Sequence, residues 1–175
     1  MNTDLPILYI GLLLAILVVA GWAVLRQILQ TRKVENSLER LQSKLTKEKG
    51  TAQEYFELGS IYLTKRIYAQ AIVQFKKALK EDDISIEETA LIYNALGFAY
   101  FSQEQYDLAI RQYKDSLKAN PNYVTALNNM GHAYERKQLM AQALEAYEQV
   151  LILEPENSTA KRRAESLRKR FVPTV

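Results

Sequence analysis

His132 is the only imidazole in the chain, and cysteine is absent. Those two facts remove most of the chemistry an active site needs. Without a thiol there is no disulfide framework, thiolate metal site, thiol nucleophile or iron–sulfur cluster. The absence does not reveal a compartment, because a Cys-free chain survives in any redox state. One imidazole leaves almost no transition-metal chemistry. No phosphate loop, dinucleotide fingerprint, nucleophile elbow or metal-ligand spacing occurs. A Ser or Lys nucleophile with carboxylate help is not excluded, but nothing singles one out. The residues point away from an enzyme, with no cofactor and no metal, and toward a surface that binds.

The elements that would carry such a surface announce themselves as a period. Leu58-Gly59 with Tyr62, Leu96-Gly97 with Tyr100, and Met130-Gly131 with Tyr134 are one small-residue unit written three times. Nine residues after each Tyr comes Ala71, Ala109 or Ala143, and four further on an aromatic, Phe75, Tyr113 or Tyr147. Pro121 and Pro155 end the second and third units. The third unit begins 34 residues after the second, and the second 38 after the first.

These residues resemble the tetratricopeptide repeat, a helix–turn–helix unit of 34 residues. The resemblance implies units at 52–85, 90–123 and 124–157 within a repeat region 51–157. Gly59, Gly97 and Gly131 should let the first helix of a pair approach the second, and Ala71, Ala109 and Ala143 should do the same from the second. Tyr62, Tyr100 and Tyr134 should fill the space between, and proline forces the chain out of helix before the next unit. The pattern has departures. Asp83 stands where the first unit would end in Pro, Ser116 and Val150 replace a small Ala, and Met130 replaces Leu. The insertion Ile86–Thr89 should lengthen the first helix of the second unit.

A repeat stack exposes apolar surface at its last helix and needs a cap. Residues 158–175 supply a helix and tail. Ala160, Ala164, Leu167 and Phe171 make an apolar stripe, and Lys161, Arg162, Arg163, Arg168, Lys169 and Arg170 cover the other face, which reads as solvated. The tail is FVPTV.

Ahead of the repeats, Leu5 to Leu25 is 21 residues without a charge. At 1.5 Å per residue this spans about 31 Å, the hydrocarbon thickness of a bilayer. Trp22 and Tyr9 sit near its ends, as interfacial aromatics do. Signal peptides begin with basic residues, whereas the only charge before this run is Asp4. Residues 1–25 therefore read as an uncleaved transmembrane anchor. Arg26, Arg32, Lys33, Arg40, Lys44, Lys47 and Lys49 follow it, and no Lys or Arg precedes it. The positive-inside rule places everything after residue 26 on the cytoplasmic or stromal side. Residues 26–50 form a basic juxtamembrane helix or stalk. Val34, Leu38, Leu41 and Leu45 give it a heptad-like stripe too short for a coiled coil, which should pack on the following domain. Gly11 and Ala15 have a spacing that lets two membrane helices approach; a homodimer is compatible with this, though nothing else in the sequence asks for one.

Apolar residues make up 48% and charged residues 25%, both ordinary for a folded protein. The net charge of +3 hides a pattern: +4 over 26–49, −5 over 50–157 and +5 over 158–175. An acidic body without a base-stacking motif argues against nucleic acid. The basic stalk can meet anionic headgroups, and the basic last helix can meet the same lipids or an acidic partner.

The fold class is all-α: one transmembrane helix, an α-α superhelix of three tetratricopeptide repeats, and a capping helix. In such stacks the first helix of each pair lines a concave face where protein partners bind. Carried over by position, the groove comprises Phe56, Ser60 and Leu63; Leu91, Asn94, Phe98 and Phe101; and Thr125, Asn128, Asn129, His132 and Glu135. Amides can pair with the backbone of an extended peptide, and aromatics supply contact area with few rotors to freeze. Each residue could equally pack on a neighbouring helix. Chaperone-binding members of the superfamily hold a terminal carboxylate with a Lys/Asn/Arg clamp. The matching positions are Phe56, Ser60, Ala95, Thr125 and Asn129, so the clamp lacks its cations.

The order of parts, with the stretch PNYVTALNNMGHAYERKQLMAQALEAYEQVLILEPENSTAKRRAESLRKR, is similar to a family of membrane-anchored tetratricopeptide proteins of cyanobacteria and algal plastids. That resemblance implies a non-enzymatic scaffold for assembly or stability of photosystem I in the thylakoid membrane. Its partners would be photosystem I subunits or assembly factors. The alternative is another envelope scaffold serving secretion, pilus or cytochrome maturation, many of which expose their repeats on the opposite side.

Overall fold

The computed structural model describes residues 4–82 and 84–171, with side chains from Tyr9 to Arg170. Asp83, the side chain of Phe171 and the four residues after it lie outside the described residues, and with them the readings of the first unit's end, the end of the apolar stripe and the tail. Among the described residues the chain forms eight α-helices and no strand. It divides into two units, Met1–Lys47 and Glu48–Val175.

The first unit is one helix, α1 (Asp4–Lys47), of 44 residues. It runs unbroken from the apolar stretch into the basic one. Pro6 sits in its first turn, where a missing N–H removes no helical bond. Every described side chain from Tyr9 to Leu25 is exposed. The helix is long and apolar enough to cross a membrane. A Cβ added at Gly11 or Gly21 would meet nothing within 4 Å, so no packing inside the chain requires glycine there.

The second unit holds α2 (Ala52–Thr64), α3 (Tyr68–Ala78), α4 (Ile86–Ser102), α5 (Tyr106–Ala119), α6 (Val124–Arg136), α7 (Met140–Leu153) and α8 (Ser158–Phe171). α2 packs on α3, α4 on α5, α6 on α7, and α8 on α7. Successive pairs join through α3–α4 and α5–α6, and the first helices also touch through α2–α4 and α4–α6.

Local chemistry sets where these helices begin and end. Thr51 and Glu54 form a capping box: the Glu54 N–H donates to Thr51 Oγ1 at 3.3 Å and the Thr51 N–H to Glu54 Oε2 at 3.2 Å. Ser85 and Glu88 repeat it at 3.1 and 2.9 Å. The second box starts α4 at Ile86, so α4 has 17 residues where α2 and α6 have 13. The four inserted residues thus lengthen a first helix at its N-terminus. Inside each pair the chain reverses through one left-handed residue, Arg66, Glu104 or Gln138, at φ of 60°, 61° and 60°. The next N–H closes the turn on the carbonyl of the repeat tyrosine: Ile67 to Tyr62 at 2.8 Å, Gln105 to Tyr100 at 3.0 Å, Leu139 to Tyr134 at 2.9 Å.

The core is a glycine facing a ring, three times over. A Cβ on Gly59 would lie 2.6 Å from the Phe75 ring, on Gly97 2.6 Å from Tyr113, and on Gly131 2.9 Å from Tyr147. All three rings are buried. It is these second-helix rings, rather than the first-helix tyrosines, that occupy the space at each glycine. Tyr100 and Tyr134 are buried on the side of the preceding pair, with Lys76 Nζ 5.6 Å from the Tyr100 ring centroid and Lys114 Nζ 6.0 Å from that of Tyr134. Ser116, a departure from the small Ala of the pattern, is fully buried and donates its hydroxyl to the Ala90 carbonyl at 2.7 Å. The Ser therefore ties α5 to the start of α4.

Candidate protein-binding groove

The first helices α2, α4 and α6 place the twelve positions expected to line the concave face. On α2, Phe56, Ser60 and Leu63 are half-buried. The Phe56 ring stands 5.8 Å from the Phe75 ring, so part of it belongs to the core of the first pair. On α4, Leu91 and Phe98 are 43% and 44% exposed, large apolar side chains left open to solvent. Asn94 and Phe101 beside them are half-buried. On α6, Thr125 is exposed, and Asn128, Asn129, His132 and Glu135 are half-buried.

Several of these residues meet across the helix seams. Phe56 and Leu91 share a cleft of about 270 Å³ with Ala52, Gln53, Glu88 and Ile92, between α2 and α4. Between α4 and α6, Asn129 Nδ2 donates to Asn94 Oδ1 at 3.0 Å. Two of the amides expected to face a peptide thus spend one bond on each other. Asn128 Oδ1 is buried without a hydrogen-bond partner, an acceptor closed off from solvent. Burial pushes the Tyr123 hydroxyl pKa up, while hydrogen bonds with Thr125 and Asn94 pull the other way. Ser60 and Leu63 continue along α2 away from the cleft.

His132 lies on the Phe101 ring, with centroids 4.8 Å apart. Burial lowers its pKa first, and the charge of Arg163 lowers it further, against the pull of Glu135. It packs between α4 and α6 against Phe101. Glu135 is held by Arg163 Nη1 at 3.1 Å. The Tyr147 hydroxyl pKa is pushed up by burial and then by its hydrogen bond with the Glu135 carboxylate.

Arg163 corrects one expectation. The basic side of α8 is not only a solvated face: Arg163 reaches α6, and Arg168 binds Glu148 of α7 at 2.7 Å. Sequence reasoning left Arg163 out of the site. The signal that could have found it is the 34-residue interval from Asn129 to Arg163, which gives it a first-helix position.

Comparison with known proteins agrees with this geometry. A family model described as tetratricopeptide repeat matches residues 52–83 and 124–157, and one described as TPR repeat matches 97–138. The protein ycf37 of Cyanophora paradoxa is 36% identical over 140 residues, which cover 80% of this chain and 81% of that one. The chain belongs to the tetratricopeptide-repeat family. The chloroplastic tetratricopeptide repeat domain-containing protein PYG7 of Arabidopsis thaliana is 36% identical over 162 residues, 93% of this chain but 54% of that protein. The chain therefore spans about half of that relative. Among solved structures, MamA superposes with a TM-score of 0.73 at 20% identity, covering 81% of each chain. The first TPR domain of Spaghetti (RPAP3), bound to an HSP90 peptide, superposes with 0.63 at 24% identity, covering 69% of this chain and 92% of that one. These likenesses show the fold, a tetratricopeptide superhelix.

Proposed function

We propose that the chain is a membrane-tethered scaffold whose concave face holds a segment of a photosystem I subunit or assembly factor. It serves assembly or stability of photosystem I in the thylakoid membrane. The observation that carries the binding role is the exposure of Leu91 and Phe98, two large apolar side chains of one first helix. Large apolar side chains left open on such a helix suit contact with an extended peptide. The photosystem role is supported by the order of parts in the sequence and by likeness to a chloroplastic protein. The apolar stretch of α1 anchors the chain, and the basic residues after it keep the repeats on the cytoplasmic or stromal side. Tethering raises the effective concentration at the membrane, so a weak groove suffices.

The test uses thylakoids from cells carrying the full chain with a photocrosslinker at Phe98, Asn94 or Asn128. In sealed right-side-out membranes, protease should digest the repeats and spare an N-terminal fragment containing the anchor. The probes should give adducts to photosystem I subunits or their assembly factors. Protease protection of the repeats would turn the reading to an envelope scaffold on the opposite side. Unchanged photosystem I accumulation after deletion, under all light conditions, would end the photosystem reading and leave the fold intact.

A further inference from the structure

We infer that α8 is a fourth wall of the groove, and that the segment held there carries a carboxylate about five or six residues from an apolar side chain. This rests on the reading of the concave face as a binding groove. α8 begins at Ser158, 34 residues after Val124 begins α6. Shifted by that interval, α8 repeats the burial pattern of α6. Ala160, Ala164 and Leu167 match Ala126, Met130 and Ala133, and all six are buried. Leu127, Gly131 and Tyr134 are buried too, and Gly131 meets Tyr147 of α7. Their counterparts are Lys161, Glu165 and Arg168, all exposed, because no further helix follows α8 among the described residues.

The third set of positions decides the inference. Arg162, Arg163 and Lys169 match Asn128, Asn129 and Glu135, the side of α6 that faces the groove. The ion pair from Arg163 to Glu135 links that side of α8, which packs on α7, to the matching side of α6. Arg163 is thereby neutralised, and Arg168 is neutralised by Glu148. Arg162 and Lys169 remain exposed, with no anionic partner among the described residues. The groove thus runs from apolar at Leu91 and Phe98 to cationic at α8. An acidic protein segment with an apolar side chain answers both features at once. Its apolar side chain covers Phe98, and its carboxylate meets Arg162 and Lys169. A lipid phosphate would answer only the last. Helices pack about 8–10 Å apart, so Phe98 and Arg162, two helices apart, are separated by roughly 18 Å. An extended chain covers that in about five or six residues at ~3.3 Å each.

The test is fluorescence anisotropy on the full chain in phosphatidylcholine nanodiscs. The probes are labelled peptides carrying a Phe and, about five residues on, either a Glu pair or a Gln pair. The Glu peptide should bind about tenfold more tightly, a preference that shrinks with salt. Arg162→Glu with Lys169→Glu should abolish the preference, and the milder Arg162→Gln with Lys169→Gln should reduce it at unchanged helicity and melting. Lys161→Glu, on the outer face, should leave it intact. Equal binding of the two peptides overturns this inference while leaving the groove reading standing; binding of neither overturns both. Loss of the preference in Lys161→Glu would make the attraction diffuse, and its loss in nanodiscs containing phosphatidylglycerol would assign the cations to the bilayer. Either result ends the proposal.

Discussion

Gly97 and Phe98 are neighbours in sequence and opposites in environment. Gly97 is buried where α4 meets α5, and an added Cβ would stand 2.6 Å from the Tyr113 ring. Phe98, turned about 100° around the helix, is 44% exposed. One residue holds the scaffold shut, and the other leaves apolar surface open. A related division recurs in the third pair, where Gly131 faces Tyr147 and His132 lies against Phe101 of α4. A tetratricopeptide helix separates its two tasks by face: substitutions on one side should register in stability, and on the other in binding.

Gly97→Leu tests that division with the largest expected effect. Tyr113 is only 1% exposed and cannot swing away from an added side chain. Overpacking of this kind costs about 1–3 kcal/mol, and more where the neighbour is pinned. Thermal melting of the full chain in detergent, followed by circular dichroism, should show a large drop. A near-native melting temperature would mean that the pair can spread, and that glycine is not what sets its spacing.

Phe98→Ala should cost far less stability. A side chain nearly half exposed in the folded state loses little burial on truncation, so the cost should stay below about 1 kcal/mol. Adducts from a photocrosslinker at Asn94 should fall sharply in the same variant. A melting loss equal to that of Gly97→Leu would place Phe98 in the core and break the comparison.

How much of this was legible depends on the range of the interaction. The Gly97–Tyr113 contact lies within one repeat, and its two residues recur at matching spacing, so the period exposes them. The extension of α4 followed from counting residues between glycines. The capping boxes Thr51–Glu54 and Ser85–Glu88 were missed, although Thr or Ser followed three residues later by Glu is their signature; they explain why α4 starts at Ile86. The left-handed turns at Arg66, Glu104 and Gln138 carry no glycine, so composition hides them. Side-chain bonds between repeats were also hidden. Asn129 meets Asn94 and Arg163 meets Glu135 across seams where polar residues of many kinds would fit. Periodicity places such residues on a face; it does not say which partner each will take.

The smallest expected effect is the most selective test of the groove face. His132 packs on Phe101, and Arg163, Arg136 and Glu135 surround it electrostatically. Burial and the two cations hold its folded pKa below the ordinary value of about 6.5, and Glu135 only partly opposes them. The unfolded chain therefore takes up the proton first as pH falls. Stability contributed by the neutral imidazole is fully present above about pH 6.5 and is lost as pH drops toward the folded pKa. His132 is partly open to solvent, so the loss is modest. It should appear as a difference between chains: from about pH 7.5 to about pH 5 the wild type should lose more melting temperature than His132→Asn, since carboxylate titration near the lower limit is common to both. Gly97 and Tyr113 contribute nothing to that difference, because neither titrates in this range. Parallel melting curves for the two chains would show that the seam between α4 and α6 tolerates an imidazolium, and that the groove wall there is wetter than the 4.8 Å ring contact implies.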